Sequence, residues 1–371
     1  MPIKAAIILG TRPELIKLAP VISAMRASPN FEPFVLSTGQ HREMLDQAMS
    51  MVGIDANVDL DLMRPNQLLT GVLQASIGGI GNTLVRENPD VVLVQGDTTT
   101  ALSGAQAGYF MGIPVGHVEA GLRSGNINAP FPEEMNRILI SRLAKWHFAP
   151  TELARDNLLA ESVSSEAIHI TGNTVVDSLK ELIRHRAQDI ENKTADRIIS
   201  KGSRLILVTL HRRESFGGPI EDICRALTEI VNENQNVELL FPVHLNPKVR
   251  EVVNRILGGN KRVHLTDPLD YGEFIGALRS AYFVITDSGG VQEEAPVFGV
   301  PVLLVREATE RIEGVDAGVV CKIGFDTEKL ISISDQLLKD PKKHRQMSQV
   351  KNLYGDGNAA KRITEILARE A

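Results

Sequence analysis

The segment Gly10-Thr11-Arg12-Pro13-Glu14-Leu15-Ile16-Lys17 brings two cations, Arg12 and Lys17, to a point where glycine permits a tight turn and Pro13 presets a helical first turn. Backbone N–H groups at a helix start, the helix dipole and two cations together suit a phosphate. A surface turn with two solvated charges would use the same residues, and this loop alone leaves both readings open. The second anion candidate is Asp287-Ser288-Gly289-Gly290-Val291-Gln292-Glu293-Glu294, where paired glycines let a diphosphate approach the backbone ahead of a helix. Neither loop carries G-x-G-x-x-G, which counts against a nicotinamide dehydrogenase.

Acid–base candidates stand at the ends of apolar runs. Asp97 follows Val91-Val92-Leu93-Val94-Gln95-Gly96, where helix N-capping is its ordinary role. Glu119 closes Gly116-His117-Val118-Glu119, and a Glu on an apolar strand is costly unless paired or functional. Glu133 and Glu134 follow Pro132 at a helix start, where acids complement the dipole in any protein. His211-Arg212-Arg213-Glu214-Ser215 again follows a strand, and His211 suits either phosphate contact or proton transfer. Arg306 to Glu313 follows another strand; by itself it reads as a solvated ion-pair loop, although its position at the sheet edge argues otherwise. His117 and His147 read as structural and His185 and His344 as solvated. No histidine pair has metal-ligand spacing, and no Walker A or EF-hand segment occurs, so no metal is implied. Asp287-Ser288-Gly289-Gly290 also matches a serine-protease nucleophile segment, but that fold is all-β.

The elements that must position these residues follow from the apolar pattern. Short Val/Ile-rich runs alternate with longer amphipathic segments, the pattern of parallel βα units. The first half predicts strands at Ala5–Leu9, Phe34–Ser37, Val91–Val94, Val115–Glu119, His147–Ala149 and Ile168–Thr171, with helices such as Pro13–Ala27 and Leu68–Asn88 between them. The second half predicts strands at Leu205–Leu210, Glu238–Pro242, Val263–Leu265, Phe283–Thr286 and Val302–Val305. From Val175 to Ser200 the chain is charged and helical with no strand, which places a boundary there. The expectation is two Rossmann-like domains with parallel sheets, residues 1–174 and 175–357, and an active site in the cleft between them. Ligands in such sheets gather at the carboxyl ends of strands.

Bulk composition narrows the partners. The 371 residues carry 40 Lys and Arg against 46 Asp and Glu, a net charge of -6 with no basic block, which disfavours nucleic acid and anionic membrane surfaces. The apolar run after Lys4 is too short for a signal-peptide core, and no run of roughly eighteen apolar residues occurs. Cys224 and Cys321 are far apart and lack zinc or redox spacing, which fits reduced thiols in the cytoplasm.

Taken together, GTRPELIK, TGQHREMLDQ, VQGDTTTALSGA, GHVEAGLRS, FPEEMNR, HFAPTE, TGNTVVDSL, HRRESFG, PVHLNP, DSGGVQEEAP and YGDG resemble the bacterial non-hydrolysing UDP-N-acetylglucosamine 2-epimerases over essentially the whole chain. The resemblance implies a glycosyltransferase-B-like fold, with a C-terminal helix, within residues 358–371, returning to the first domain. It implies interconversion of UDP-GlcNAc and UDP-ManNAc by anti elimination of UDP and re-addition through a 2-acetamidoglucal, with no cofactor, in a homodimer. Carried over by position, it puts Arg12, Lys17, Asp97, Glu119, Glu133 and His211 at the reacting sugar and diphosphate. It puts Ser288, Gly289 and Gly290 on phosphate, Glu294 on the ribose, Phe274 and Leu269 at the uracil, and Arg311 near the nucleotide. Leu269 stands where some relatives have Gln, which implies a backbone contact. Some relatives bind a second, activating UDP-GlcNAc through the equivalents of Gln40 and His244 and a basic residue near Asn66; Asn66 is not basic. The chain also departs from the family pattern at Ala308 and Ile312, in its T-T-E-R-P-E loop, and at Leu210, often Gly. A UDP-sugar transferase of the same fold, a hydrolysing 2-epimerase and a non-catalytic nucleotide-sugar sensor are the alternatives; the sensor would need no acid–base set.

Overall fold

Runs such as Val91-Val92-Leu93-Val94 are buried along their whole length, which requires a sheet covered on both faces, and parallel strands joined by crossover helices provide it. The computed structural model describes residues 1–40, 42–64, 67–185, 193–199, 202–212, 217–349 and 353–371; Asn66, Arg213, Glu214 and Ser215 lie outside them. The chain forms two compact units, Met1–Glu181 with Tyr354–Ala371, and Leu182–Leu353.

The first unit contains β1 (Ile3–Leu9), α1 (Arg12–Arg26), β2 (Phe31–Ser37), α2 (Arg42–Val52), β3 (Val58–Asp59), α3 (Leu69–Glu87), β4 (Val91–Gln95), α4 (Thr99–Phe110), β5 (Val115–Val118), α5 (Glu133–Leu143), β6 (Trp146–Ala149), α6 (Glu152–Ala160), β7 (Ile168–Ile170) and the start of α7 (Thr174–His185). Its seven parallel strands run in the order β3-β2-β1-β4-β5-β6-β7. The order reverses between β1 and β4, and in open α/β sheets ligands bind outside the carboxyl ends of the strands at such a reversal. Gly10 stands at that point because nothing larger fits: a Cβ there would lie 2.3 Å from the Thr38 hydroxyl oxygen and 2.5 Å from that of Thr100.

The second unit contains α8 (Lys193–Ile198), β8 (Arg204–Thr209), α9 (Gly218–Glu233), β9 (Val237–Pro242), α10 (Pro247–Leu257), β10 (Val263–Thr266), α11 (Tyr271–Ser280), β11 (Ala281–Thr286), α12 (Gly289–Glu294), β12 (Val302–Leu304), α13 (Ile312–Asp316), β13 (Val320–Lys322), α14 (Thr327–Lys339) and α15 (Pro341–Ser348). Its six parallel strands run β10-β9-β8-β11-β12-β13, with the reversal between β8 and β11. Its core joins Ile206, Val208, Phe241, Phe283 and Ile285 of the sheet to Ile223, Leu227 and Ile230 of α9.

The last helix, α16 (Ala359–Glu370), belongs to the first unit. Its buried positions Ala360, Ile363 and Leu367 recur at helical spacing and join the cluster that contains Leu15, Leu18 and Ile22 of α1. Asp177 of α7 accepts the Ala360 N–H at 2.9 Å and so caps α16 from outside it.

Two strands differ from the sequence expectation by being present at all. β3 and β13 are two and three residues long and form edges of their sheets, too short for the alternation and burial signals that mark interior strands. β5 stops at Val118, so Glu119 lies just beyond the strand rather than on it.

Two histidines show how buried polar groups hold this architecture. His117 on β5 and His147 on β6 face each other in register, and both are almost fully buried. Burial pushes the His117 imidazole down to about 3, and His147 down to about 4. Neutral His117 contacts the Gly96 carbonyl through Nε2 at 2.7 Å, so Nε2 carries the proton and donates it. The unfolded chain takes up a proton near 6.5 while the folded chain does not until about 3, so stability is lost as pH falls between those values. From pH 7 to 5 His117 alone should cost about 2 kcal/mol. His117→Gln keeps a donor for Gly96 but does not titrate. Urea unfolding at the two pH values should show that much less acid destabilisation in the variant, and an equal loss would remove His117 from this role.

Candidate active site

The start of α1 is closed by its own sequence. Thr11 is the N-cap and Glu14 the third residue of the helix, a capping box. Glu14 Oε2 accepts the N–H groups of Gly10 and Thr11 at 2.9 and 2.8 Å and the Thr11 hydroxyl at 2.8 Å. Its Oε1 accepts the Thr98 hydroxyl at 2.5 Å, which ties the loop after β1 to the loop after β4. This corrects the expectation that backbone N–H groups here are offered to a phosphate: those of Gly10 and Thr11 are already taken. Burial raises the Glu14 carboxyl above its ordinary value, against the lowering effect of these four donors. Arg12, partly exposed, remains a cation at this loop.

Lys17 lies a turn and a half further along α1, 6% exposed, and pairs with Glu119, which is 8% exposed. Asn173 also donates to Glu119 Oε2, at 3.1 Å. Glu119 has a left-handed backbone, φ 65, a conformation costly for a residue with a Cβ. This left-handed residue stands directly after β5, and its carboxylate meets Lys17.

Asp97 does not cap α4. Thr98 does, accepting the Ala101 N–H at 3.0 Å. The Asp97 carboxylate is instead held by Arg137 at 2.5 Å, and its carbonyl oxygen accepts from the Asn136 amide at 2.8 Å. Arg137 is 4% exposed and also binds Glu134 at 2.7 Å. The other oxygen of Glu134 accepts the Ser124 and Gly125 N–H groups at 2.9 and 3.2 Å. α5 therefore fastens the turn after β4 and the loop after β5 to one guanidinium. Glu133, partly buried, opens the same helix. Gln40 accepts from the Thr100 hydroxyl at 3.1 Å, close to this switch point.

In the second unit, His211 follows β8 and Asp287 follows β11, the two strands flanking the reversal. Asp287 is fully buried and accepts the N–H groups of His211 and Arg212, with its carboxylate 3.2 Å from His211 Nδ1. Ser288 is the N-cap of α12 and Gly289 and Gly290 are its first residues; at Gly289 a Cβ would meet the Arg311 guanidinium at 2.7 Å. Arg311 pairs with Glu293, at 2.6 Å, and with Glu310. Arg306, Thr309, Glu310 and Arg311 are each at most 6% exposed, which corrects the reading of a solvated ion-pair loop. Glu294 accepts from the Tyr271 hydroxyl at 2.9 Å. Leu269 and Phe274, both partly buried, flank the Asp270 cap of α11. His244 is exposed and accepts the Asn246 N–H at 3.2 Å.

The family model described as UDP-N-acetylglucosamine 2-epimerase matches residues 23–368. This chain belongs to the UDP-N-acetylglucosamine 2-epimerase family. It is 47% identical to the UDP-N-acetylglucosamine 2-epimerase of Escherichia coli K12 and 48% identical to that of Yersinia pestis, each over 98% of both chains. The crystal structure of UDP-GlcNAc 2-epimerase from Neisseria meningitidis bound to UDP-GlcNAc superposes with a TM-score of 0.93 at 41% identity, covering 100% of both chains. The glycosyltransferase-B-like class with two parallel α/β domains is thus shared with solved members of the 2-epimerase family.

Sequence reasoning missed Glu14, Asn136, Arg137, Tyr271 and the anchoring role of Asp287. Thr11-x-x-Glu14 is a readable capping box. The others carry no local signal, because their partners lie far off in sequence, 40 residues for Arg137 and Asp97.

Glu14→Ala should cost about 2–4 kcal/mol in denaturant unfolding, since it strips the partners from two buried N–H groups and a cap. Glu14→Gln can place its oxygen at the Oε2 position and should cost at most about 1 kcal/mol. Equal costs for the two variants would contradict the network.

Proposed function

We propose that this chain interconverts UDP-N-acetylglucosamine and UDP-N-acetylmannosamine. The observation that carries the reading is the set of carboxylates Asp97, Glu119 and Glu133 at the strand ends and helix start of one unit, in a chain matched to the 2-epimerase family along nearly its whole length. The C2 proton of the sugar is weakly acidic, so a carboxylate base must remove it while cations and donors receive the departing diphosphate.

In the forward step the C2–H and C1–O bonds break on opposite faces, giving UDP and a 2-acetamidoglucal. In the return step the diphosphate oxygen re-forms its bond to C1 while C2 takes a proton on the other face. Nothing is oxidised or reduced overall, so no redox cofactor enters. Two faces of one carbon require protonic access, which calls for at least two of Asp97, Glu119 and Glu133 acting in turn. Lys17 belongs with Glu119 through their pairing. Arg12 and His211, with the Ser288–Gly290 backbone, receive the diphosphate. Glu294 takes the ribose hydroxyls, Phe274 and Leu269 the uracil, and Arg311 stands beside the nucleotide loop. Gln40 and His244 are the contacts for a second UDP-sugar. The widely separated Cys224 and Cys321 support a reducing, cytoplasmic setting, and the family resemblance supports a homodimer.

Incubation with UDP-GlcNAc alone should give UDP-ManNAc. No turnover would favour a transferase, and free ManNAc with UDP a hydrolysing enzyme. Asp97→Asn should lower epimerisation at least about 100-fold while UDP binding by calorimetry persists; undiminished turnover would remove Asp97 from the chemistry.

A further inference from the structure

His211 is the one imidazole assigned to the reaction, and an imidazole can act only once it is settled which ring nitrogen carries the proton. The surroundings of Asp287 settle it. The Asp287 carboxylate is fully buried, and its own N–H extends the sheet by donating to the Thr209 carbonyl at 3.2 Å. The next residue, Ser288, donates its N–H to the Thr286 hydroxyl, which in turn bonds that of Thr209 at 2.6 Å. The carboxylate therefore has little freedom to move. Its Oδ2 accepts two backbone N–H groups, from His211 at 3.0 Å and Arg212 at 2.9 Å. Its Oδ1 lies 3.1 Å from the His211 backbone nitrogen and 3.2 Å from the ring Nδ1.

We propose that Asp287 is a positioning residue that holds the His211 proton on Nδ1, so that Nε2, on the far side of the ring, is the nitrogen presented to the departing diphosphate. Both oxygens of Asp287 already accept backbone N–H groups, so the Nδ1 that faces Oδ1 donates to it. The neutral ring keeps its Nε2 lone pair to take up a proton from solvent, and the Nε2–H so formed donates to the departing diphosphate oxygen while Nδ1–H stays on Asp287. The ring is 45% exposed while the carboxylate against its Nδ1 edge is fully buried. This inference rests on the epimerase reading for the task of His211, but not for its proton position.

The test is a substitution whose orientation the backbone dictates. In Asp287→Asn the amide oxygen must take the Oδ2 position, because two backbone N–H groups point there and can only donate. The amide NH2 then falls opposite Nδ1, which must accept, and the proton moves to Nε2. Nitrogen-15 NMR of the imidazole in the neutral range should show Nδ1–H in the unsubstituted protein and Nε2–H in the variant. The variant should lose at least about 100-fold in kcat, with UDP affinity retained because the backbone bonds are kept. Placed on top of His211→Asn, Asp287→Asn should add little further loss, since the two act as a unit. Nε2–H in the unsubstituted protein overturns the proposal whether or not the variant folds. So does a variant whose kcat stays near that of the parent. Because the spectrum requires no turnover, it separates failure of this proposal from failure of the epimerase reading, which would appear as no UDP-ManNAc from the unsubstituted protein.

Discussion

A guanidinium cannot be buried without anions around it, and Arg137 meets that requirement with Asp97 on one side and Glu134 on the other. Much of the first unit's site depends on this arrangement. Through Asp97 it fixes the turn after β4; through Glu134 it gathers the N–H groups of Ser124 and Gly125, in the loop that follows Glu119. Because both contacts come from the first turns of α5, Glu133 is brought to the same region by the same helix. The His117 contact to the Gly96 carbonyl supports that turn from beneath. The Asp97 side chain keeps 25% of its surface exposed while its guanidinium partner is nearly inaccessible, so the buried cation holds a carboxylate that still faces outward.

The second unit applies the same rule with the charges reversed. There the buried group is an anion, Asp287, and the exposed one is His211. Arg311 is held between Glu293 and Glu310 against the Gly289 backbone, and Tyr271 holds Glu294. In each unit one of these groups follows a strand that flanks the reversal of strand order, Asp97 after β4 in one and His211 after β8 in the other. The topology sets where the crevice lies, and the buried partners set which way each side chain points.

How much of this was legible in the sequence follows from the range of each interaction. Strands such as Val91-Val92-Leu93-Val94 advertise themselves because burial on both faces demands an apolar run, and residues after them, such as Asp97 and His211, inherit a place at the strand end. β3 and β13 were not legible because two or three residues on a sheet edge have no such demand. Capping of α1 by Glu14 was written in Thr11-x-x-Glu14, yet the neighbouring cations suggested an anion site instead, and only the geometry showed the N–H groups taken. Arg137 looked like any helical arginine: its partner lies 40 residues away, and no spacing records that. The left-handed backbone at Glu119 is likewise invisible, since glutamate is not a residue type that signals that conformation.

The claim that unites these features is that the supported carboxylates move a proton on and off C2 of a UDP-sugar. Proton NMR of UDP-GlcNAc turned over in D2O tests it most directly. The account predicts that every UDP-ManNAc molecule formed carries deuterium at C2, because the proton removed by one carboxylate is replaced from solvent on the opposite face. UDP-ManNAc that keeps its C2 proton through turnover would contradict it.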